Sequence, residues 1–467
     1  MDTNGNAAMV YEYKVATLDT EIFSTSYATG NAITNLFDDV DPNKDKNASQ
    51  LNSVTWVSRS NWEGTLPTKS YVMKYNDAMV EQARSIAYVA DPEAQANTPM
   101  PRFGISNGLT LASFMDVEYD DPMWTKLLEQ MTYEETAKLV MNCWYGSDAV
   151  PSVGKLRQTD QDTSMGRTNP FTANPDLVGL DFTSGDLRAA TFNAELMKKV
   201  GLLTGENNLH ASTDTVKAIG LYGFSPNIHR TPYSGRNGEY FSEDAYITGI
   251  ACGLAVQGMQ EKGSVCFVKH FFLNDQEDLR HGVATWANEQ TLRECYLPAF
   301  EYTVTLGGGM GFMNSFNRIG MIWVGEHKGA QIDFLENECG FEGNIVTDLY
   351  ESDYQDVVDG LLGGTTMWLA VSSDQYAHGL ITSDTYRNDP VIVSALVEAA
   401  HRMLYGASRS AAMNGVSVST QIVSVTPWWQ TALVAVDASL TVITLACAAM
   451  LVMSIVKNKR KPVVVEK

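Results

Sequence analysis

The sequence predicts an α/β protein built on a (β/α)8-type TIM barrel, with an irregular N-terminal connector and a C-terminal single transmembrane helix. Three observations support this fold class. Short apolar runs alternate with longer amphipathic segments between residues 121 and 415, which is typical of parallel strands joined by crossover helices. No glycine-rich phosphate loop follows the first strand, which disfavours a doubly wound open sheet. A long uncharged stretch near the C-terminus has the length of a membrane span.

Residues 1–120 are polar and show little regular periodicity. We predict that they form a connector that wraps the larger domain at 121–415. The first residues show no basic start followed by an apolar core, so the sequence predicts no signal peptide. Because an extracellular body would need a signal peptide, we expect the natural N-terminus to lie upstream of Met1.

The barrel region contains strand-like and helix-like segments in alternation. Thr132 and Glu135 are spaced as a capping box at a helix start. The predicted strands are "KLRQTD", "IGLYGFSPN", "VCFVKH", "GGMGFMNSF", "NIVTD" and "TTMWLA". The predicted helices are "GDLRAATFNAELMKKVGLLTGENN", "SEDAYITGIACGLAVQGMQ", "NEQTLRECYLPAFEYTV" and "IDFLENECG".

The C-terminal part predicts a membrane anchor. A linker at 416–430 leads into an apolar segment at 431–456, and a basic tail follows at 457–467. Trp428 and Trp429 precede the segment, where aromatic rings favour the membrane interface. The basic tail predicts a single-pass protein of the cell membrane, with its C-terminus in the cytoplasm and its body extracellular.

Composition excludes several kinds of partner. The formal net charge of −22 and the pI near 4.7 argue against nucleic acid, whose phosphates would be repelled. The six cysteines form no CxxC pair and no regular spacing, so neither a disulfide framework nor a zinc site is predicted. We predict no metal and no cofactor.

Ionisable residues stand where the predicted strands end. Asp160 and Asp162 end the first strand, Lys269 and His270 end the third, and Asp348 ends the fifth. In a barrel these carboxyl ends meet at one face, so we expect a polar pocket suited to a polyhydroxylated ligand. Sequence neighbours on a strand point to opposite faces. Lys269 and His270 can therefore both reach the pocket only if the strand ends or bulges there.

Four segments, "NIHRTPYSGRNGEYFSEDAYITG", "VKHFFLNDQEDLR", "TLRECYLPAFEYTV" and "NIVTD", carry a resemblance to a known family. The chain from about Asp121 to Gly415 resembles the catalytic barrel domain of glycoside hydrolase family 3, the β-glucosidase and β-xylosidase family. "DDPMWTKLLEQMTYEE" and "YATGNAITNLFDDVD" resemble the branch of permuted domain order, in which a sandwich domain comes first.

The resemblance implies roles for individual residues. Asp348 matches the nucleophile that forms a covalent glycosyl-enzyme, which makes the reaction a retaining hydrolysis of O-glycosyl bonds. Asp162 matches a sugar-hydroxyl-binding aspartate, and Glu239 is expected to be a structural salt-bridge partner. The other residues implied in substrate binding are Arg167, Arg236, Lys269, His270, Arg280 and Phe316. The implied substrate is a β-linked oligosaccharide or glucoside.

Three positions depart from the family pattern. "DTS" stands after Gln161 where the family often has "DGP", Phe316 stands in place of a tyrosine, and Leu349 in place of a tryptophan. The acid/base glutamate is also missing, because in this family's β-glucosidases it comes from the sandwich domain. We expect that an absent sandwich domain or a partner subunit supplies it. An Asp278–His281 pair is a weaker alternative.

Three functions remain open at this point. The first is a membrane-tethered β-glucosidase-like hydrolase. The second is a catalytically impaired, membrane-anchored glycan-binding fragment, which keeps the sugar pocket without the acid. The third is another barrel enzyme, such as an aldolase that uses Lys269 as a Schiff-base nucleophile. The "GRN", "SED" and "KHF" segments argue against the third.

Overall fold

The computed structural model describes residues 24–49, 54–57, 61–62, 74–84, 88–162, 180–232, 234–370, 376–423 and 426–459. Two compact units divide the chain, one at 1–420 and one at 421–467. The predicted domain boundaries within the first unit stay predictions.

The described residues form nine strands in two sheets. The larger sheet has six strands in the order β1-β2-β3-β4-β6-β9, and the smaller has the order β5-β7-β8. The strands are Gly146–Ser147 (β1), Arg157–Asp162 (β2), Val216–Tyr222 (β3), Val265–Phe271 (β4), Ala284–Thr285 (β5), Gly311–Asn314 (β6), Arg318–Ile319 (β7), Ile322–Trp323 (β8) and Asn344–Val346 (β9).

The larger sheet is a half-barrel. Its strands are parallel except for the antiparallel pair β1 and β2, and they join the sheet in chain order. A doubly wound sheet reverses its order at a switch point, so this order agrees with the barrel-like prediction instead. β4 is buried along its whole length, as expected of a parallel strand covered on both faces.

Helices pack around this sheet. They are Asp77–Arg84 (α1), Pro92–Asn97 (α2), Met123–Leu128 (α3), Tyr133–Met141 (α4), Gly185–Ala189 (α5), Ala194–Ala211 (α6), Ala245–Gln260 (α7), Glu289–Thr291 (α8), Leu297–Thr305 (α9), Val357–Gly363 (α10), Tyr376–Ile381 (α11), Asp384–Arg387 (α12), Pro390–Ser408 (α13) and Trp428–Lys459 (α14). π-helical stretches cover Leu292–Tyr296 and Gly329–Glu338. Short 3-10 helices cover Asp38–Val40, Leu111–Phe114, Pro151–Val153, Val324–Glu326 and Ala411–Met413.

The structure refines several predicted elements. Strands form within five of the six predicted segments, but "TTMWLA" contributes only the bridge between Met367 and Val346. The capping box of Thr132 and Glu135 is confirmed at the start of α4. The segment predicted as one helix at 185–208 is divided into α5 and α6, because Asn193 caps the second helix anew.

Glycines allow α6 and α7 to pack at very short range. A Cβ at Gly201 would lie 1.9 Å from the carbonyl oxygen of Ala255, and one at Gly258 would lie 2.2 Å from that of Lys198. No side chain fits at such separations. The close packing of these two helices against the sheet therefore requires glycine at both positions.

The N-terminal connector contacts the loops and helices of the barrel region. Phe37 packs edge-on against Phe272 and stacks on His327. The Glu289 carboxylate accepts hydrogen bonds from the backbone amides of Leu36 and Phe37. The Tyr75 hydroxyl donates to the carbonyl oxygen of Gly282 at 3.1 Å. These contacts hold parts of the connector against the loops that follow β4 and β8.

The second unit consists mainly of α14. This helix has 32 residues and is apolar enough to cross a membrane, and at 1.5 Å per residue it exceeds the roughly 30 Å of a bilayer core. Its side chains are exposed. The helix includes the whole of the segment predicted as a membrane span. Arg460 and Lys461 of the basic tail lie outside the described residues.

Candidate active site

Four segments bring predicted site residues to the carboxyl-end edge of the larger sheet. β2 ends at Asp162, β4 carries Lys269 and His270, and Asp348 follows two residues after β9. Arg236 lies on the loop between β3 and α7. Parallel strands present their carboxyl ends at the same edge, and the side chains meet there. These five residues are called the Asp348 cluster below.

Asp348 is the most closely held acid of the cluster. Its side chain is 16% exposed, and its Oδ2 lies 3.2 Å from His270 Nε2. Its Oδ1 accepts a hydrogen bond of 2.8 Å from the backbone amide of Leu349. The Leu349 amide therefore holds one carboxylate oxygen, and the His270 imidazole lies against the other.

His270 connects Asp348 to Arg236. The same Nε2 atom lies 2.9 Å from an Nη atom of Arg236, and the imidazole is only 2% exposed. Its Nδ1 atom is buried without a hydrogen-bond partner among the described residues. The imidazole therefore spaces the guanidinium from the carboxylate while all three groups stay in contact.

The electrostatics keep Asp348 charged and disfavour the charged form of His270. Burial by itself would raise the pKa of Asp348, but the interaction with His270, the backbone amide of Leu349 and the charge of Arg236 hold that pKa well below its usual range. Burial, together with the positive charges of Arg236 and Lys269, lowers the pKa of His270. Asp348 is thus ionised at neutral pH.

Lys269 and Asp162 form the second ion pair of the cluster. The Lys269 Nζ atom lies 2.8 Å from Asp162 Oδ1, and the Lys269 side chain is 6% exposed. Glu239 joins the two pairs, because its Oε1 is 3.1 Å from Arg236 and its Oε2 is 3.8 Å from Lys269. The salt-bridge role predicted for Glu239 is confirmed by these distances.

An irregularity in β4 lets neighbouring residues serve the same site. The pairing of β4 with β6 shifts register between Val268 and Phe271, and the Lys269–His270 peptide bond within this stretch is cis. A regular strand would place these two side chains on opposite faces. Here Lys269 reaches Asp162 and His270 reaches Asp348, so the bulge expected from the sequence is present.

Arg280 and Phe316 lie beside the cluster rather than in it. Arg280 pairs with Glu277 at 2.8 Å, and its guanidinium lies 4.6 Å from the centre of the Phe316 ring. The His281 imidazole also stacks on that ring at 4.4 Å. Phe316 is only 3% exposed, because these cationic and aromatic groups cover it.

Two further predicted residues take different places. Arg167 lies outside the described residues. Asp160, which the strand-end pattern groups with Asp162, is buried, and its Oδ2 accepts a hydrogen bond of 2.8 Å from the Tyr222 hydroxyl. Asp160 lies inside β2, whereas Asp162 ends the strand at the edge of the sheet, so the pattern overestimated the pocket at this position.

Sequence reasoning missed three neighbours of the cluster. The Tyr145 hydroxyl lies 3.4 Å from Asp162 Oδ2, and Glu277 lies 3.8 Å from Arg236. Burial and the charge of the Asp348 carboxylate raise the pKa of the third, Tyr354. Glu277 and Tyr354 follow "KHF" and "VTD" closely in the chain, and this spacing was the only signal that could have indicated them.

Comparison with known proteins agrees with this geometry. Residues 162–358 match the glycosyl hydrolase family 3 N-terminal domain. This part of the chain is a glycosyl hydrolase family 3 domain. The matched region begins at Asp162 and includes every other member of the Asp348 cluster, so the family assignment and the site refer to the same part of the molecule.

Two curated relatives illustrate the extent of the family likeness. The chain is 31% identical over 201 residues to β-glucosidase BoGH3A of Bacteroides ovatus, a match that covers 43% of this chain and 25% of that protein. It is 30% identical over 262 residues to thermostable β-glucosidase B of Acetivibrio thermocellus, which covers 53% of this chain and 33% of that protein. The chain therefore spans about a quarter to a third of these relatives.

A solved structure is similar over a longer stretch. β-Glucosidase 3B from Thermotoga neapolitana, in complex with glycerol, is 27% identical and superposes with a TM-score of 0.53. The superposition covers 62% of this chain and 43% of that one. The half-barrel fold of this chain is thus shared with a β-glucosidase of known structure.

Proposed function

We propose that this protein is a retaining β-glycosidase of β-glucosidase type, in which Asp348 attacks the anomeric carbon and forms a covalent glycosyl-enzyme. The single observation that carries the proposal is the state of Asp348. It is a charged carboxylate at the carboxyl end of a barrel-type strand, held by His270 at 3.2 Å, within the family-matched region. Retaining glycosidases use such a carboxylate as nucleophile.

The rest of the Asp348 cluster is suited to hold a sugar. Asp162 and Lys269 together offer an acceptor and a donor within 2.8 Å of each other, and Arg236 adds guanidinium donors beside the nucleophile. Hydroxyl groups of a pyranose need such alternating partners, and their hydrogen bonds strengthen as the oxocarbenium-like transition state forms. The β-glucosidase names of the relatives support a β-linked glucoside or oligosaccharide as substrate.

A retaining reaction also needs a second carboxyl, about 5–5.5 Å from the nucleophile, which acts first as acid and then as base. Two carboxylates described near the cluster, Glu239 and Glu277, are engaged by Arg236 and Arg280. A carboxylate held by guanidinium groups is a poor proton donor. We propose that a sandwich domain or a partner subunit contributes the acid/base residue.

We propose that the half-barrel closes through the segment at 366–369. Met367 bridges to Val346 beside β9. On its other side, the amide of Trp368 donates to the Val140 carbonyl, and the amide of Cys143 donates to the Trp368 carbonyl, both at 3.0 Å. The segment Val140–Cys143 leads directly to β1 at the opposite edge of the sheet. These hydrogen bonds support a continuous ring, as in a TIM barrel.

We also propose that α14 anchors the protein in the cell membrane, with the enzymatic body outside and the C-terminus in the cytoplasm. The length and apolar surface of the helix support the anchor, and Lys457 and Lys459 at its end support the orientation. Deletion of the chain from Trp428 onward should release a soluble body. A body that still sediments with membranes would contradict the anchor.

A non-catalytic glycan-binding protein is the second candidate. The observation that favours it is the pairing of Glu239 and Glu277 with cationic side chains, which leaves these two described carboxylates unsuited to act as the proton donor. In this case the Asp348 cluster would bind a glucosyl unit, and the charged Asp348 would act only as a hydrogen-bond acceptor.

The experiment that separates the two uses a 2-fluoro-β-glucoside with a highly reactive leaving group. Such a leaving group departs with little acid assistance, so the nucleophile is tested even where the acid is missing. The hydrolase proposal predicts covalent labelling of Asp348, located by mass spectrometry of the digested protein. Label on another residue would refute the assignment, and glucose binding without any label would favour the glycan-binding candidate.

A further inference from the structure

A cavity of about 390 Å³ beside the first two strands of the larger sheet is not used by the proposed chemistry. It is lined by Lys138, Asn142, Trp144, Asp148, Arg157 and Gln158 among others, and none of its lining residues belongs to the Asp348 cluster. These residues come from the end of α4, from the antiparallel pair β1 and β2, and from the chain next to β1. The cavity is called the hairpin cavity below.

Arg157 places the hairpin cavity apart from the Asp348 cluster. Arg157 begins β2, and Asp162 ends it. At roughly 3.3 Å per residue, the two residues lie about 16 Å apart along the strand. Asp162 stands at the carboxyl-end edge of the sheet, so Arg157 stands at the opposite, amino-end edge. A ligand held by Arg157 therefore binds away from the sugar proposed to bind at Asp348.

The charges of the hairpin cavity favour an anionic ligand. The exposed guanidinium of Arg157 has no ion-pair or hydrogen-bond partner among the residues that the structure describes. Lys138, by contrast, is paired, and its Nζ atom lies 3.1 Å from Asp148 Oδ2. The lining side chains therefore carry two positive charges and one negative charge, in a chain whose formal net charge is −22. A local excess of positive charge attracts anions.

The other walls of the hairpin cavity fit a sugar ring. Trp144 is half-buried, and its ring meets the Tyr145 ring edge-on, with 5.0 Å between the ring centres. This contact orients the indole, whose flat face can pack against the C–H groups of a pyranose. Asn142 and Gln158 bring side-chain amides, which both donate to hydroxyl groups and accept from them. The cavity volume lies within the ~300–1,000 Å³ typical of small-molecule sites.

We infer that the hairpin cavity binds an acidic sugar, such as a uronic acid unit of a glycan, with its carboxylate held by Arg157 and its ring against Trp144. A guanidinium presents parallel N–H donors that match the two oxygens of a carboxylate. A neutral glucoside has no such anion, so the cavity distinguishes carboxylate-bearing glycans from neutral ones. This inference goes beyond the proposed function, because it adds a second glycan contact that requires no reaction at Asp348.

The test is calorimetric titration of the full chain in detergent with glucuronate, glucose and acetate. Lys269→Met, which weakens the sugar site at Asp348, serves as the background that isolates the hairpin cavity. In this background glucuronate should bind at least tenfold more tightly than glucose or acetate. Adding Arg157→Gln should lower the affinity for glucuronate about tenfold or more, because hydrogen bonds to a charged group are lost. Arg157→Gln alone should leave glucose affinity unchanged.

Three further variants complete the design. Arg157→Lys keeps the charge without the planar fork and should recover only part of the affinity for glucuronate. Trp144→Leu should lower that affinity about threefold or more and leave acetate affinity unchanged. Arg102→Gln is the matched control, because Arg102 is a 69% exposed arginine that pairs with Glu129 and does not line the hairpin cavity. Its affinity for glucuronate should equal that of the unmodified chain.

The outcomes separate this inference from the proposed function. Glucuronate that binds no more tightly than glucose in the Lys269→Met background, or whose affinity survives Arg157→Gln, would overturn the acidic-sugar site and leave the Asp348 site standing. Acetate that binds as tightly as glucuronate would show a site for a bare anion and overturn the sugar. Failure of glucose to bind the unmodified chain, with glucuronate binding that responds to Arg157→Gln, would support the hairpin cavity and contradict the sugar site at Asp348.

Discussion

Two buried ionic clusters of this protein respond to burial in opposite ways. In the Asp348 cluster, the pKa of Asp348 is held well below its usual range although the group is largely buried. In the second, called the interior cluster and formed by Ser147, Lys155, Asp160 and Tyr222, burial raises the pKa of Asp160 to about 6 and lowers that of Lys155 to about 8. The Asp348 cluster keeps its carboxylate charged, whereas burial in the interior cluster favours the neutral forms of Asp160 and Lys155.

The difference lies in the partners. Asp160 accepts a hydrogen bond from the neutral Tyr222 hydroxyl, and the Lys155 Nζ atom donates to the Ser147 hydroxyl at 2.8 Å and to the Asp148 carbonyl at 2.9 Å. These neutral groups do not offset the loss of hydration of a charge. Asp348 instead has a backbone amide, an imidazole and a nearby guanidinium. The interior cluster is therefore suited to structure and the Asp348 cluster to chemistry.

The largest expected effect is on covalent labelling, when the aspartate of each cluster, Asp348 or Asp160, is replaced by asparagine. Asp348→Asn should reduce covalent labelling by the fluoroglucoside by about 10³-fold or more, because an amide cannot act as the nucleophile. Asp160→Asn should retain labelling at a rate near that of the unmodified chain. Mass spectrometry of the labelled protein over time measures both. Loss of labelling in Asp160→Asn, with the fold intact by circular dichroism, would contradict the division into chemical and structural clusters.

The second effect concerns stability and pH. The pKa of Asp160 is raised from 3.8 to about 6, so the folded protein holds a proton there that the unfolded chain has released, and this contribution to stability is lost as the pH rises from about 4 to about 6. At about 1.4 kcal/mol per pKa unit, the loss amounts to about 3 kcal/mol. The free energy of unfolding of the unmodified chain relative to Asp160→Asn should fall by this amount between pH 4 and pH 7 in urea titrations. A pH-independent difference would show that Asp160 is ionised throughout.

The third effect compares Lys269 of the Asp348 cluster with Lys155 of the interior cluster. Lys269→Met should lower glucose affinity about tenfold or more, because it removes a charged donor that also orients Asp162 at 2.8 Å. Lys155→Met should lower the free energy of unfolding and leave glucose affinity unchanged, since the Lys155 hydrogen bonds in the described structure go to Ser147, Asp148 and Leu156 and not to the Asp348 cluster. Glucose titration and urea denaturation of both variants measure the two properties. Equal glucose affinities would mean that Lys269 does not contact the sugar.

The smallest effect belongs to His270. Burial lowers its pKa from 6.5, so the unfolded chain binds a proton below pH 6.5 that the folded protein resists, and stability falls as the pH drops through 6.5 toward the folded pKa. His270→Gln should remove this part of the pH dependence, as measured by urea denaturation between pH 5 and pH 7.5. His210→Gln, at an exposed position on α6, is the matched control and should leave the profile unchanged. An unaltered profile in His270→Gln would show that folding leaves the pKa of His270 unchanged.

Local patterns predicted many elements of this fold. Apolar runs located five strand segments of the larger sheet, and the Thr132 capping box located the start of α4, because these features depend on residues close in the chain. The segment "TTMWLA" was overestimated as a strand, because a short apolar run does not distinguish a full strand from a single bridge. The break between α5 and α6 was missed, since the helical pattern continues across Asn193.

In the candidate site, too, the sequence indicated individual residues but not the contacts between residues that are far apart in the chain. The residues of the Asp348 cluster could be named from the sequence because each stands in a recognisable segment at the end of a strand. The ion pairs could not be assigned: Asp162 and Lys269 are 107 residues apart in the chain. The covering of Phe316 by Arg280 and His281, and the approach of Tyr354 to Asp348, likewise depend on loop paths that no periodicity encodes.

The sequence by itself determined that strands alternate with helices, that ionisable groups end those strands, and that an apolar helix follows the body. Each of these properties depends on residues that are close together in the chain. The tertiary structure alone decided which charges are paired, which acid keeps its charge and which is neutralised, and that Tyr75 of the connector lies beside the loop after β4. These properties depend on distances and local polarity between segments far apart in the chain, and only the folded molecule defines them.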